Sequence, residues 1–357
     1  MKNLLKKKTT RTDFLTYLGV IVAFVIMFAL QQADMLKNST QGMLVPVCCF
    51  VVMAVSLNLT VGILGELSLG HAGFMSVGAF SGIIAAMSLE QSIPSDLARL
   101  IIAIVVGAIC AAIAGFIVGV PVLRLQGDYL AIVTLAFGEI IKELINCLIV
   151  GYDENGLHVM FNLSGKLSVE NLNMTENGVA IIKGAQGAVG VDKLATFPMG
   201  FVLVMLCLVI VLNLVRSRTG RAILSIRDNR IAAESVGINV TKYRLMAFVI
   251  SAAMAGSAGA LFGLNYSTLS STRFDFNTSI LVLVYVVLGG LGNIWGSIIA
   301  AVVLYVLPEA LREFNDYRML VYAIVLILVM LATNNDQFKA MLGRILPKRR
   351  KGAAANG

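Results

Sequence analysis

Long apolar runs constrain this chain more than any other feature of its sequence. Several of them approach the roughly 20 residues that an α-helix needs to cross a lipid bilayer. Of the 357 residues, 58% are hydrophobic and 13% are charged, whereas soluble domains carry about a quarter charged residues. The alternating ten-residue segments that are typical of outer-membrane barrels are absent from the sequence. The sequence therefore predicts an all-α, polytopic integral membrane helical bundle.

The distribution of basic residues predicts how the chain crosses the membrane. Lysines and arginines cluster in residues 1–13, before the first apolar run, and in residues 335–357, after the last, which assigns both tails to the cytoplasm. Two cytoplasmic tails require an even number of crossings. Splitting Ser279–Leu307 at the glycines of Gly289–Asn293 satisfies this condition and gives about ten transmembrane segments, short or broken ones included. Residues 14–334 then form the membrane domain.

Two longer polar segments interrupt the apolar runs. The segment 151–197 holds five acidic residues and three lysines, so it is predicted to lie outside the cell. The segment Ser217–Arg244 holds six basic residues and two acidic ones, so it is predicted to be cytoplasmic. Within it, Asp228 or Asn229 can cap a short helix that Gly237 ends.

The predicted short helix carries small apolar residues that would suit contact with another protein. Ala232 and Val236 share one face at a spacing of four residues, and Ala233 adds a small neighbouring surface. A helix with such a face can seat in a groove of a partner. The alternative is an ordinary connection whose charges keep it in water.

Polar side chains within the apolar runs are candidates for a translocation path: Glu66, Ser68, His71 and Glu139. A charged side chain at bilayer depth costs about 2.5–3.5 kcal/mol on insertion scales, so it normally faces a cavity or a partner. Two other interpretations stay open. Glu66 can lie at the cytoplasmic interface while His71 bonds a backbone carbonyl, and Glu139 can form an interfacial ion network with Lys142 and Glu143.

The sequence contains no recognisable catalytic motif. It has two histidines, five cysteines without metal-ligand spacing, and no G-x-x-x-x-G-K-[S/T] phosphate loop, so the chain is predicted neither to hydrolyse ATP nor to hold a cofactor. The net charge of +8 comes largely from residues beside the apolar runs, where it orients the chain in the membrane. Nucleic acid is therefore not an expected partner, and the lipid bilayer is.

The chain resembles the permease subunits of branched-chain amino acid ABC transporters, the LivM-like group. Four blocks carry the resemblance, in the order in which the family has them: Ser56–Phe80, Gly127–Ile141, Gly220–Leu261 and Val286–Glu309. The resemblance implies a multi-pass protein of the bacterial plasma (inner) membrane. It also implies a second, LivH-like permease chain, two ATP-binding subunits that bind the ATP, and an external solute-binding protein.

The resemblance also implies a role for the cytoplasmic segment 217–244. In this family the corresponding helix is similar to a coupling helix, which docks on the ATP-binding subunit. The resemblance assigns coupling to the ATP-binding subunit to the following residues of this chain: Arg227, Asp228, Asn229, Ala232, Ala233, Glu234 and Gly237.

The external segment departs from the family pattern. Gly184–Val191 is similar to the end of the family's compact external loop, but Asp153–Lys183 looks inserted.

Branched-chain amino acids are the expected cargo, with urea, short amides or other amino acids as the alternative. A secondary transporter that uses Glu66 or Glu139 as its coupling carboxylate is a second alternative, and a channel or scaffold is a third. Proteins of these classes do not need a capped helix that docks on an ATP-binding subunit.

Overall fold

A computed structural model describes residues 2–33, 38–90, 92–125, 127–153, 156–162, 169–172 and 178–311, with 317, 320–321, 323–324 and 326–327. The chain divides into two compact units at residue 303. The features discussed below belong to the first unit.

The described residues form eleven α-helices: α1 (Lys2–Gln32), α2 (Asn38–Asn58), α3 (His71–Ser88), α4 (Asp96–Val122), α5 (Asp128–Asn146), α6 (Phe197–Arg216), α7 (Arg218–Asp228), α8 (Arg230–Ser235), α9 (Val240–Gly263), α10 (Phe276–Gly289) and α11 (Ile294–Ala310). A π-helical turn, Leu59–Leu64, extends α2. The prediction of a polytopic helical membrane protein is confirmed.

Among the described residues, six helical segments are long and apolar enough to cross a membrane: Asn38–Leu64, His71–Ser88, Asp96–Val122, Phe197–Arg216, Val240–Gly263 and Ser271–Gly289. Two shorter apolar helices are Thr16–Gln32 and Ile294–Ala310. The ten crossings predicted from the charge rule are not confirmed. Helix α5, which carries four charged residues, is not among the six. Most of residues 312–334, the end of the predicted membrane domain, lie outside the described residues.

Two predicted boundaries can be compared directly with the helices. The break at the glycines after Ser279 is confirmed, since α10 ends at Gly289 and α11 begins at Ile294. The basic residues 1–13 are not separate from the first apolar run, because α1 is continuous from Lys2. The C-terminal segment 335–357 lies outside the described residues.

Helices α2, α3 and α9 form the centre of the bundle and are mostly buried, whereas less than half of each apolar span is buried in α4, α6 and α10. Small residues let the central helices approach closely. A Cβ atom on Gly78 of α3 would lie 2.1 Å from the carbonyl oxygen of Gly256 on α9, so glycine is required at this crossing. The exposed side chains of α4 are apolar along its length, as expected for a helix that faces lipid.

A small sheet corrects the expectation of an all-α fold. Its strands are β1 (Leu148–Asp153), β2 (Gly156–Phe161), β3 (Val179–Lys183), β4 (Ala188–Val189) and β5 (Thr268–Leu269), in the antiparallel order β2-β1-β3-β4-β5. Strands β1 to β3 contain most of the described part of the inserted region 153–183, together with the residues just before it.

The sheet and the segment 217–244 lie at opposite ends of the bundle. Strand β5 follows the last residue of α9, whereas the segment 217–244 leads into its first. The 24 residues of α9 separate these two points by about 36 Å at 1.5 Å per residue. We call the two regions the sheet end and the loop end.

Candidate functional site

The loop end is shaped by three side-chain caps. The Ser217 hydroxyl accepts a hydrogen bond from the amide of Gly220 at the start of α7, at 3.1 Å. The Asn229 side chain accepts one from the amide of Ala232 at the start of α8, at 3.0 Å. Asn239 caps α9 in the same way. Because each cap satisfies a free amide and fixes an extended residue before the helix, the chain changes direction at each of these points.

Helix α8 ends as its sequence predicts. Gly237 has a φ of +83°, a left-handed conformation that glycine adopts without strain. The amide of Ile238 donates to the carbonyl of Ala233 at 3.1 Å, which is the closing bond of a Schellman motif. The predicted short helix, capped by Asn229 and ended by Gly237, is therefore confirmed as a structural element.

The face that α8 turns outward contains the predicted pair Ala232 and Val236, but Ala233 is not part of it. Ala233 is only 3% exposed and packs in a cluster with Ile226 and Val240, so it seats α8 on its own chain and is not available to a partner. The exposed apolar side chains are Ile231, at 80%, and Val236, at 75%, with Ala232 exposed near them.

Charged residues flank this outward face. Arg230 and Glu234 form an ion pair across one turn of α8, with 3.2 Å between Nε and Oε1. Asp228 is exposed and pairs with Arg227 at 3.3 Å. The loop end therefore presents two large apolar side chains within a charged rim, which is the composition of a protein contact surface.

Two arginines of the loop end reach back into the bundle. Arg227 donates from Nη1 to the carbonyl oxygen of Gly62, in the π-helical turn, at 2.9 Å. Arg244, in the first turns of α9, donates from Nη1 to the carbonyl of Leu123 at 2.8 Å and from Nη2 to that of Leu125 at 3.4 Å. These carbonyls lie just beyond the C-terminal end of α4, where helices leave backbone acceptors unpaired.

Glu66 is the acid partner of Arg244. Its Oε1 lies 2.6 Å from Nη2 of Arg244, and the arginine side chain is 3% exposed. Burial raises the pKa of Glu66, while the charges of Arg244 and Arg230 oppose the rise. Of the two interpretations left open by the sequence, this geometry supports a place at the loop end, where the carboxylate is engaged by an arginine.

Ser68 and His71 lie in the interior, beside a break in the helices. The ring Nε2 of His71 is 2.7 Å from the Ser251 hydroxyl and 3.2 Å from that of Ser56, so it bonds side chains where a backbone carbonyl was the expected alternative. The Ser68 hydroxyl is buried and has no hydrogen-bond partner among the described residues.

The break itself, residues 65–70, and the first turn of α3 are held by hydroxyl groups from other helices. The amide of Leu69 donates to Thr134 of α5 at 3.1 Å, and that of Ala72 donates to Ser279 of α10 at 3.2 Å. The backbone groups of a buried non-helical segment need such partners because no water reaches them.

Glu139 occupies a different place from Glu66. It accepts a hydrogen bond from the amide of Phe276 at 3.1 Å and forms an ion pair with Lys142, which lies 3.7 Å from Glu143. The predicted ion pairs among Glu139, Lys142 and Glu143 are therefore present. Glu139 also lines a shallow depression between α3, α5 and α10, with Leu69 and Phe274 among the other residues of its wall. The structure does not bring the four predicted path residues into one continuous site.

Sequence reasoning missed two residues, Arg244 at the loop end and Asn58 beside the break between α10 and α11. Arg244 lies where the charged segment 217–244 meets the apolar run that follows it, and no local pattern there distinguishes a buried arginine from a solvated one. Asn58 is fully buried, accepts from the amide of Gly292 at 2.9 Å and donates to the Ser297 hydroxyl at 2.9 Å. An amide side chain inside an apolar run is the signal that marked it.

Comparison with known proteins identifies relatives of the chain. The family model described as "Branched-chain amino acid transport system / permease component" matches residues 39–330. The high-affinity branched-chain amino acid transport system permease protein LivM of Salmonella typhimurium is 35% identical over 297 residues, which cover 79% of this chain and 66% of the relative. LivM of Escherichia coli is 33% identical over 325 residues, which cover 87% of this chain and 72% of the relative.

A second type of permease matches a shorter part of the chain. LivH of Salmonella typhimurium, also named a high-affinity branched-chain amino acid transport system permease protein, is 36% identical over 118 residues, which cover 32% of this chain and 38% of the relative. No solved structure matches the chain. Because the family model covers most of its residues, the chain belongs to the family of permease components of branched-chain amino acid transport systems.

Proposed function

We propose that this permease is a membrane-spanning subunit of an ATP-binding cassette importer for branched-chain amino acids. It pairs with a second, LivH-like permease chain. Two ATP-binding subunits bind the loop end, and an external solute-binding protein delivers the cargo at the sheet end. The chain itself contributes no catalytic group and holds no cofactor, since ATP is bound by the partner subunits. The protein is a multi-pass protein of the inner membrane, and its loop end faces the cytoplasm.

One observation carries the proposal: α8 displays Ile231 and Val236 at the tip of a loop that is bonded back into the bundle. Two large apolar side chains this exposed are costly in water unless a partner covers them. Asn229 and Gly237 fix the ends of α8, so the partner would meet a pre-formed surface and lose little entropy on binding. The relatives' names, which describe permease proteins of transport systems, are consistent with such an assembly.

The cargo path is proposed to run beside the break 65–70. Ser68 and His71 lie at this break, and Glu139 lines the depression next to it. Opening of the break would expose the two buried side chains to the path. Glu66 is assigned to the loop end, because its carboxylate is engaged by Arg244. Urea or short amides are the alternative cargo, and binding measurements on the partner solute-binding protein would identify it.

The test is uptake into vesicles that contain the two permease chains, with and without the ATP-binding subunits and the solute-binding protein. We expect uptake of leucine, isoleucine or valine only when ATP and all partners are present. Uptake by this chain alone, driven by a proton gradient, would overturn the proposal.

Paired substitutions test the docking surface. Ile231→Asp with Val236→Asp should weaken binding of the ATP-binding subunits by about 30-fold, because the loss of a central apolar contact typically costs about 2 kcal/mol. Leu157→Asp with Val159→Asp places the same charges on exposed apolar residues at the sheet end and should leave this binding unchanged. Equal effects of the two pairs would contradict the assignment of the loop end.

A further inference from the structure

The two arginines that reach back from the loop end converge on one short stretch of chain. Arg227 bonds the carbonyl of Gly62, and Arg244 pairs with Glu66. Gly62 belongs to the π-helical turn 59–64. Such turns are rare in proteins, occur mostly as single turns inside α-helices and are frequent at functional sites.

The same stretch contacts a second interruption of the helices. Asn58 accepts a hydrogen bond from the amide of Gly292, which lies in the break between α10 and α11, and donates one to Ser297 of α11. The two backbones also touch, since a Cβ atom on Gly62 would lie 2.2 Å from the amide nitrogen of Gly292. Residues 58–66 therefore lie between the loop end and the break 290–293.

The contacts of Glu66 and Arg244 are suited to carrying a displacement. The guanidinium group joins the first turns of α9, the end of α4 and the break 65–70 at one point. A buried ion pair resists separation because each partner would be left as an uncompensated charge. The three elements should consequently move together when the loop end moves.

We propose that residues 58–66 are the joint that transmits a displacement of the loop end to the two helix breaks, 65–70 and 290–293. Arg227, Arg244 and Glu66 are its positioning residues, and Asn58 links it to the second break. The inference rests on the proposed function, since it needs ATP-binding subunits that push on the loop end. It assigns the π-helical turn the role of the element that changes between two arrangements.

The first test is Glu66→Gln in the assembled complex with its ATP-binding subunits and solute-binding protein. We expect unchanged binding of the ATP-binding subunits and unchanged basal ATP hydrolysis. Stimulation of hydrolysis by the loaded solute-binding protein should fall about tenfold, as should uptake per ATP, which is within the usual range of coupling between sites. Glu143→Gln removes an acid beside Lys142 in the last turns of α5, next to the sheet end, and should leave both quantities unchanged.

A measurement without any variant completes the test. In the unaltered complex, hydrogen exchange should show that a non-hydrolysable ATP analogue changes the protection of both 58–66 and 290–293.

The outcomes separate the two proposals. Stimulation that survives Glu66→Gln, or protection of 58–66 that does not respond to nucleotide in an ATP-driven complex, would overturn the joint alone. An unaltered complex whose uptake ignores ATP would overturn the proposed function, and the joint with it.

Discussion

Each end of α4 is held by a buried arginine, and the two arginines differ in the acids they meet. At the loop end, Arg244 bonds carbonyls beyond the last turn of α4 and pairs with Glu66, whose side chain is 19% exposed. At the sheet end, Arg99 donates to the carbonyl of Ala86 at 3.1 Å and pairs at 3.0 Å with Asp192, whose side chain is 44% exposed.

Because their acids differ in exposure, the ion pair at the loop end should be hard to separate and the ion pair at the sheet end easy to separate. Water and salt screen the pair at the sheet end, so Asp192 can exchange its arginine for solvent at little cost. At the loop end, Glu66 and Arg244 are shielded, and separating them is expensive. The sheet end can thus adjust to a partner, whereas the loop end can transmit force.

The largest expected effect compares the two arginines directly. Arg244→Ala should lower the free energy of unfolding by about 3–5 kcal/mol, because it leaves a buried carboxylate and helix-end carbonyls without their partner. Arg99→Ala should cost about 1–3 kcal/mol, because Asp192 can hydrate in its place. Thermal denaturation of both variants in the same detergent measures this difference. An equal or larger loss for Arg99→Ala would show that exposure of the acid does not distinguish the two ends.

These two ends also differ in how far the sequence predicts them. The ends of α8 and the break after Gly289 follow from local chemistry: an asparagine cap, a glycine stop and a run of glycines. Burial of Arg244 depends on the end of α4, which lies about 120 residues away in the chain, and no local pattern encodes that contact.

The sheet end was predicted only as an external polar segment. Strand β5 consists of two residues, and it is ordered by pairing with β4 about 80 residues earlier. Strand periodicity needs four or more residues to be recognised. Only the part of the α8 prediction that concerns Ala233 was wrong, for a similar reason: Ala232 and Val236 lie on the exposed face as predicted, but contacts with Ile226 and Val240, which the spacing does not reveal, bury Ala233.

A second prediction uses two glycines at opposite ends of α2. Gly62→Ala would place a methyl group against the backbone of Gly292, and we expect a loss of about 1–3 kcal/mol in stability, typical of overpacking. Gly42→Ala has open space around it and should stabilise the helix by about 0.5–1 kcal/mol. Thermal denaturation measures both. A tolerated Gly62→Ala would mean that the π-helical turn and the break 290–293 can separate freely.

A smaller effect is expected from the helix caps. Asn229→Ala removes the cap of α8 and should destabilise this helix by about 1 kcal/mol. Because the ATP-binding subunit would then have to order the helix on binding, its affinity should fall about fivefold. Asp275→Ala removes the corresponding cap of α10, away from the loop end, and should leave that binding unchanged. Titration of the purified ATP-binding subunit against each variant measures the affinities. A similar loss for both would indicate a general effect on the fold.

The smallest effect expected is a dependence of coupling on pH. Burial raises the pKa of Glu66 against the opposing charges of Arg244 and Arg230, so this carboxylate takes up a proton at a higher pH than an ordinary glutamate, whose pKa is about 4.3. As the pH falls, its charge is lost and the pair with Arg244 weakens. Stimulated ATP hydrolysis should then decline by about twofold from this group, and Glu66→Gln should lack this component.

The stability of the chain should change in the opposite direction, which distinguishes this effect from acid unfolding. A carboxylate with a raised pKa in the folded state binds its proton more tightly there than in the unfolded chain, so its contribution favours the folded state as the pH falls through that pKa. As the pH falls from above the raised pKa of Glu66 to the ordinary pKa of a glutamate, stimulated ATP hydrolysis should therefore decline while the contribution of Glu66 to the free energy of unfolding increases. A parallel decline of both, in the unaltered protein and in Glu66→Gln alike, would assign the pH dependence to groups other than this pair.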